Sequence, residues 1–328
     1  MRIVFQEHIS KRKQPINIEN KDILLFEHEF EKKIRNSHYI LILNGFILNG
    51  IIIKFGTNLK QYLSYALVHP ILSNKKILKK VFLFRRGFTT IEKGVWIIDN
   101  MSLGYFHWLT DALPRLLASK RDGEQYQVLL PESYKQFSYI SESLSFLGEQ
   151  IIYYNAQTPL KVKKLLVTSH TADTGNYNPI LINELRNKFL YNNTNKSDRK
   201  VFISRLKAPR RKIINEEEVI NLLKLYGYEI HCFEDYTFKK QIEIMSQTKH
   251  LIGLHGAGLT NMLFMKENSK VLELRNLNDN HNNCYFSLAS ELNLNYFYQL
   301  NQGNRNETYS ADIIVDINEL RKNIEKMI

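Results

Sequence analysis

Residues 250–265 read HLIGLHGAGLTNMLFM. The apolar run LIGL ends at His255. Gly256, Ala257 and Gly258 follow, then Leu259, Thr260 and Asn261, then an apolar, helix-like segment. A glycine-rich turn between a buried strand and a helix has two readings. It is either a tight strand-to-helix connection or an anion seat, because backbone N–H groups at a helix N-terminus, freed of side chains by glycine, bind phosphate. The turn is not a G-x-G-x-x-G, since Asn261 stands where the third glycine would be, and no G-K-[ST] follows to make a P-loop.

Outward from this turn, strand and helix signals alternate. KVFISR (200–205) is a β-rich run. Asn215 and Glu218 have capping-box spacing at the head of NEEEVINLLKLYGY, and Gly227 is placed to stop that helix. YEIHCF, LIGL, KVLELR and LNYFYQL read as strands. TFKKQIEIMSQTK and NNCYFSLASELN read as helices, and HGAGLTNMLFM as a turn and helix. Short apolar strands alternating with amphipathic helices predict βαβ units and a doubly wound parallel sheet over 197–310. A short strand, DIIV, and a helix capped by Asp316 close the chain at 311–328.

The same alternation begins earlier, at VWIID (95–99), and runs through GYFHWLTDALPRLLAS, QVLLP, SYKQFSYISESLSFL, QIIYY and KKLLVTS to PILINELRNKFLYN. The polar stretch NNTNKSDRK is the expected linker, which puts the first domain at 1–192. Residues 1–90 show β-type alternation of unassigned topology. YILILNGFILNGIIIKF (39–55) is interrupted by Asn44, Gly45, Asn49 and Gly50, so it reads as strands and a turn rather than a membrane span.

With 328 residues, 44% hydrophobic and 24% charged, the chain has globular composition and room for two cores. Cys232 and Cys284 cannot form a disulfide framework, and no signal-peptide pattern opens the chain, so a soluble, cytoplasmic protein is expected. The net charge of +12 admits three partners: nucleic acid, an anionic membrane face, or an anionic small molecule. Most basic clusters, such as Lys11–Lys13, Lys75–Lys80 and Lys161–Lys164, read as solvated surface.

The cluster ISRLKAPRRKIINEEE is different. Arg205 ends a strand on the side where open α/β sheets bind ligands, and Arg211 follows in the same loop. Guanidinium forks match phosphate oxygens. In the first half, His107 and Asp111 are four residues apart and share a helix face if Pro114 does not break it, as a base and its orienting carboxylate would. The alternative is simple packing, which is also the reading for Trp108 and Leu109. No G-x-S-x-G, H-E-x-x-H, Cys/His zinc spacing or D-x-D is present, so no metal site is expected.

Together, FHWLTDALPRL, ISR…APRRKIINEE and FKKQI…LIGLHGAGLTNMLFM…VLEL resemble glycosyltransferase family 61, in order over about 95–275. The resemblance implies a GT-B architecture, with two Rossmann-like domains facing across a cleft behind a β-rich N-terminal segment. It implies acceptor binding by the first domain and donor binding by the second, and a C-terminal strand and helix packing back on the first domain. It further implies inverting, metal-independent transfer from a nucleotide sugar, most often a UDP-sugar, with no cofactor. The expected donor-binding set is Arg205, Arg211, Asn215, His255, Gly256, Ala257, Gly258, Leu259, Thr260, Asn261 and Glu273. Glu273 is a ribose ligand or a buried structural carboxylate. His107 or Asp111 is the expected base, with His255 as rival. Lys-, Asn- and Ile-rich usage points to a bacterial capsule, lipopolysaccharide or other surface-polysaccharide pathway. A saccharide or lipid-linked acceptor is expected, and with a lipid-linked one the basic clusters of the first half would hold the enzyme at the inner membrane face. Those clusters are spread along the chain without an RNP, zinc-finger or basic-zipper pattern, so no nucleic-acid partner is expected. The competing readings are a basic Rossmann-like nucleic-acid-binding protein, a GT-B-shaped transferase of a non-sugar group, and a degenerate saccharide binder.

Overall fold

The LIGL run forms strand Thr248–Leu254, flanked by Arg199–Ile203 on one side and Lys270–Asn276 on the other. The computed structural model describes residues 1–191, 196–277, 279, 283–305 and 310–328. It orders this sheet Glu229–His231, Arg199–Ile203, Thr248–Leu254, Lys270–Asn276, Asn295–Gly303, Ile313–Ile314. The first five strands are parallel and the last is antiparallel. The chain leaves Arg199–Ile203 toward one edge and crosses back to continue from Thr248–Leu254 toward the other. The carboxyl ends of those two strands therefore mark the reversal point, where open α/β sheets hold ligands.

Helices form where the apolar spacing and caps predict them. Thr237 caps Phe238–Ser246, and Asp316 caps Ile317–Met327 by accepting from the Asn318 and Glu319 N–H groups. Gly227, at φ 77°, ends Glu216–Leu225. The capping box expected at that helix's start is absent. The Asn215 side chain instead brackets Val315, donating to its carbonyl and accepting from its N–H, both at 2.9 Å.

The described chain divides into two compact units, 1–8 with 34–174 and 9–33 with 175–328. This division departs from the boundary expected at 192. Helix Pro179–Phe189 buries Leu181, Ile182, Leu185 and Phe189 in the second unit, where Phe189 meets Phe238 and Phe264 edge-on. Residues 9–33 join the same unit because Phe26 is enclosed by Phe286, Tyr296 and Tyr298. The expected linker lies partly outside the described residues, at 192–195. The C-terminal helix also departs from expectation, since Leu320, Ile324 and Met327 pack with Val219, Leu223, Leu272 and Phe297 in the second unit's own core.

The first unit carries a seven-stranded sheet in the order Arg2–Phe5, Ser37–Leu48, Leu160–Thr168, Thr89–Trp96, Val128–Pro131, Ile151–Tyr154, with Ile51–Ile53 added beside Ser37–Leu48. The last four strands of that path are mutually parallel. The 39–55 stretch is a hairpin. Asn49 and Gly50 both have positive φ, the requirement of a two-residue turn between antiparallel strands, and Leu48 pairs with Ile51 across it. Among the described residues, no helix is long and apolar enough to cross a membrane.

Candidate active site

In the first unit, the segment 105–119 is not one α-helix. A π-helical turn, Trp108–Ala112, separates Tyr105–His107 from Leu113–Ser119, and the Leu113 N–H reaches back five residues to the Trp108 carbonyl. Pro114 has no N–H to give, and the wider turn carries the chain into it without a break. His107 and Asp111 remain on one face, with Nδ1 and Oδ2 2.8 Å apart. Trp108 and Leu109 are fully buried, and the Trp108 indole N–H donates to Ser143 Oγ at 2.8 Å.

Three further residues, unmarked by any sequence motif, surround this pair. Asp99 follows strand Thr89–Trp96 and His170 follows Leu160–Thr168, its parallel neighbour. His170 Nε2 lies 2.8 Å from Asp99 Oδ2. Thr174 Oγ1 lies 3.5 Å from Asp111 Oδ2. Beneath them Arg115 is completely buried, donating to the carbonyls of Thr168 and Tyr65, with Nη1 3.8 Å from Asp99 Oδ2. Burial presses the Arg115 pKa down to about 10, against the pull of Asp99 and Asp111. Burial alone would raise Asp99, but the His170 bond and the Arg115 charge hold it well below the usual carboxylate range.

Burial alone would likewise lower His107, but hydrogen bonding and charge from Asp111 outweigh it and raise its pKa above 6.5. Burial raises Asp111, opposed by His107. The pair holds a proton tightly, and its Nδ1 is fixed on Asp111, which turns Nε2 away from the carboxylate.

In the second unit, both loops singled out in the sequence meet at the reversal point. Arg205 follows strand Arg199–Ile203 and donates from Nε to the Arg211 carbonyl at 2.8 Å and from Nη2 to the Arg210 carbonyl at 3.0 Å. These bonds hold the loop in a form that places Arg211 at φ 56°. The third nitrogen faces the glycine turn. A Cβ on Gly256 would lie 2.1 Å from Arg205 Nη1 and 2.8 Å from its Cζ, so only glycine fits there. Gly258 lies against Ile203, 3.0 Å from where a Cβ would sit.

The segment after the turn is a 3-10 helix, Ala257–Phe264, rather than an α-helix. Its first closure is the Leu259 N–H to the Gly256 carbonyl at 2.9 Å, so the N–H groups of Ala257 and Gly258 precede the helix's own ladder. Leu259 is a core side chain with its N–H engaged in that closure. The Asn215 side chain is tied at both ends to Val315. Thr260 and Asn261 are buried, and Asn261 Nδ2 donates to the Gly258 carbonyl at 3.0 Å, bracing the turn.

His255 follows strand Thr248–Leu254, and Glu273 lies midway along its parallel neighbour Lys270–Asn276. His255 Nδ1 lies 2.5 Å from Glu273 Oε1, and the Tyr296 hydroxyl donates to Oε2 at 2.5 Å. Glu273 has no exposed surface, and both of its oxygens are engaged within the protein. Burial alone would raise its pKa, but His255 and Arg275 keep it below 4.5. Burial also lowers Arg205, reinforced by the charge of Arg211, which marks a cationic corner with little water to screen it. Among the described residues, no group of three or more His, Cys, Asp or Glu side chains is arranged to hold a metal ion.

Comparison with known proteins converges on the same residues. The EGF domain-specific O-linked N-acetylglucosamine transferase of Mus musculus is 36% identical over 91 residues, 26% of this chain and 17% of that protein. Its counterpart in Bos taurus is 38% identical over 92 residues, again 26% and 17%, and that in Drosophila melanogaster 38% over 82 residues, 24% and 15%. The matched stretches thus span about one sixth of these relatives. The family model for Glycosyltransferase 61 matches residues 105–272, just over half of the chain, from the His107–Asp111 segment through the arginine loop and the glycine turn. The chain belongs to glycosyltransferase family 61.

Proposed function

We propose that the protein transfers a sugar, with inversion, from a nucleotide-sugar donor to a saccharide acceptor without a metal. In the GT-B division of labour, the first unit serves the acceptor and the second the donor. The observation that carries this reading is the approach of Arg205 to Gly256 at the reversal point of the second sheet. A guanidinium and the leading N–H groups of a helix converge there without a side chain between them, as diphosphate binding requires. A UDP-sugar is the first donor to test, and the relatives' names make N-acetylglucosamine the first sugar. A surface-polysaccharide acceptor remains the favoured class, with the protein acceptor in the relatives' names as the alternative.

Inversion is a single displacement. The acceptor hydroxyl oxygen bonds to the anomeric carbon as the bond from that carbon to the β-phosphate oxygen breaks. The hydroxyl proton passes to His107 Nε2, and the electron pair leaves on the phosphate. Asp111 orients the imidazole and stabilises the imidazolium that forms. Arg205, Arg211 and the N–H groups of Ala257 and Gly258 meet the charge that develops on the leaving diphosphate. His255, held by Glu273, supports the turn on the donor side.

A thermal-shift series with UDP, GDP, CMP and TDP, with and without EDTA, tests the donor half. A ligand that binds only the folded protein stabilises it with the logarithm of its concentration over Kd. One nucleotide is expected to raise Tm equally in both conditions. No shift with any of them, beside tight binding to nucleic acid, would overturn the proposal.

A further inference from the structure

Residues 32–91 contain no aspartate or glutamate, and they include Lys75, Lys76, Lys79, Lys80, Arg85 and Arg86. In the first unit this stretch forms a helix, Asn74–Val81, capped by Ser73, followed by a 3-10 turn, Phe82–Arg86. Ile77 alone of the helix is buried, in a cluster with Phe46, Leu48, Ile51 and Ile53 of the hairpin and with Leu63 after it. The outward face is not simply polar. Leu78 is 63% exposed and Phe82, one turn on, is 56% exposed, while Ile71 just before the helix is 89% exposed. Phe55 and Phe88, both half exposed, border the buried Phe46 at 5.3 and 5.7 Å. The Arg85 guanidinium lies 3.9 Å over the Phe82 ring.

Large apolar side chains left in water beside cations mark a surface with a partner. Among the described residues, Lys75, Lys76, Lys79, Arg85 and Arg86 form no ion pair, so their charge is not cancelled within the protein. We infer that the face carrying Ile71, Leu78 and Phe82 with Lys75, Lys76 and Lys79 docks on an anionic lipid surface. The charges complement anionic headgroups, and the interleaved aliphatic and aromatic side chains reach the acyl boundary, as interfacial helices do. A nucleic-acid partner would use the cations but has no place for Ile71 and Leu78. The surface belongs to the first unit and the arginine loop and glycine turn to the second, and no residue is shared, so this inference stands or falls independently of the donor reading.

Co-sedimentation of the full chain with phosphatidylcholine vesicles, with and without phosphatidylglycerol, tests it. Binding is expected only with the anionic lipid and is expected to weaken with salt. A Lys75→Ser, Lys76→Ser, Lys79→Ser variant should lose roughly fivefold in partitioning per charge removed. A Leu78→Ser, Phe82→Ser variant should bind weakly and no longer resist salt. Both variants should keep the wild-type Tm, since all five side chains are at the surface. Should either fail to fold, the salt and lipid dependence of the wild type decides alone. Equal binding to neutral vesicles, no binding to either, or capture of a single-stranded DNA probe in preference to anionic vesicles would overturn the inference.

Discussion

Two of the protein's histidine–carboxylate pairs, His107–Asp111 and His255–Glu273, differ in their surroundings. His107–Asp111 lies within one helical segment, and the His107 side chain keeps 19% of its surface exposed. His255–Glu273 bridges two neighbouring parallel strands at 8% and 0% exposure, with Tyr296 on the carboxylate's other oxygen. The first pair can exchange a proton with something outside it. The second is closed on itself and holds a turn in place. A short imidazole–carboxylate distance therefore says little about role; what the pair borders says more. The first borders a second titratable pair, Asp99–His170, and the second borders Arg205 and a glycine turn.

The comparison breaks most sharply by substitution. His107→Ala is expected to reduce kcat by about 10²–10⁴ with little change in nucleotide affinity or Tm, as loss of a general base does. Steady-state kinetics beside nucleotide titration would show it, and turnover near wild type would remove His107 from the mechanism. Arg205→Ala should do the reverse, costing about 1.5–3 kcal/mol of nucleotide binding, the range for a charged hydrogen bond. Gly256→Ala should resemble it, because its Cβ would occupy the place of Arg205 Nη1. Calorimetry on both variants tests whether the turn and the arginine act together.

Glu273→Gln should act on stability, on the order of 1–3 kcal/mol for a disrupted buried bond, and only secondarily on rate. Because its folded pKa lies below 4.5, the wild-type contribution is present above that value and is lost as pH falls through the folded pKa. Denaturant melts over an acid series should converge for wild type and variant at low pH.

The smallest effect is the subtlest separation. Hydrogen bonding and charge from Asp111 outweigh burial and raise the pKa of His107 above the ordinary imidazole value, so kcat/KM should rise with pH through that raised pKa. The same shift stabilises the fold fully below the unfolded pKa and less as pH rises through the folded one. Asp111→Asn should move the midpoint of the rate profile down; an unmoved midpoint would mean that another group titrates.

Much of the second unit was legible because short apolar runs, the Asp316 cap and Gly227 all agree on the same elements. Local signals also marked Arg205 and Gly256 separately. That their loops, some fifty residues apart, share one edge of the sheet was legible too; the direct approach of the guanidinium to Gly256 was not, because it depends on which strands are neighbours. Asp99 and His170 were missed for the same reason, being 71 residues apart and adjacent only through strand pairing. Asn215 misled because a capping residue and a strand-end anchor look alike in sequence. The placement of residues 9–33 with the second unit rests on Phe26 meeting rings more than 250 residues away, which no periodicity encodes.

The central claim is that one unit supplies the base and the other holds the leaving diphosphate. It is tested most directly by measuring UDP affinity and UDP-sugar turnover, to acceptor or to water, side by side in His107→Ala and Arg205→Ala. The expected result is crossed, with turnover lost and affinity kept in the first, and affinity lost in the second. Both variants losing the same quantity, or Arg205→Ala binding UDP as tightly as the wild type, would contradict it.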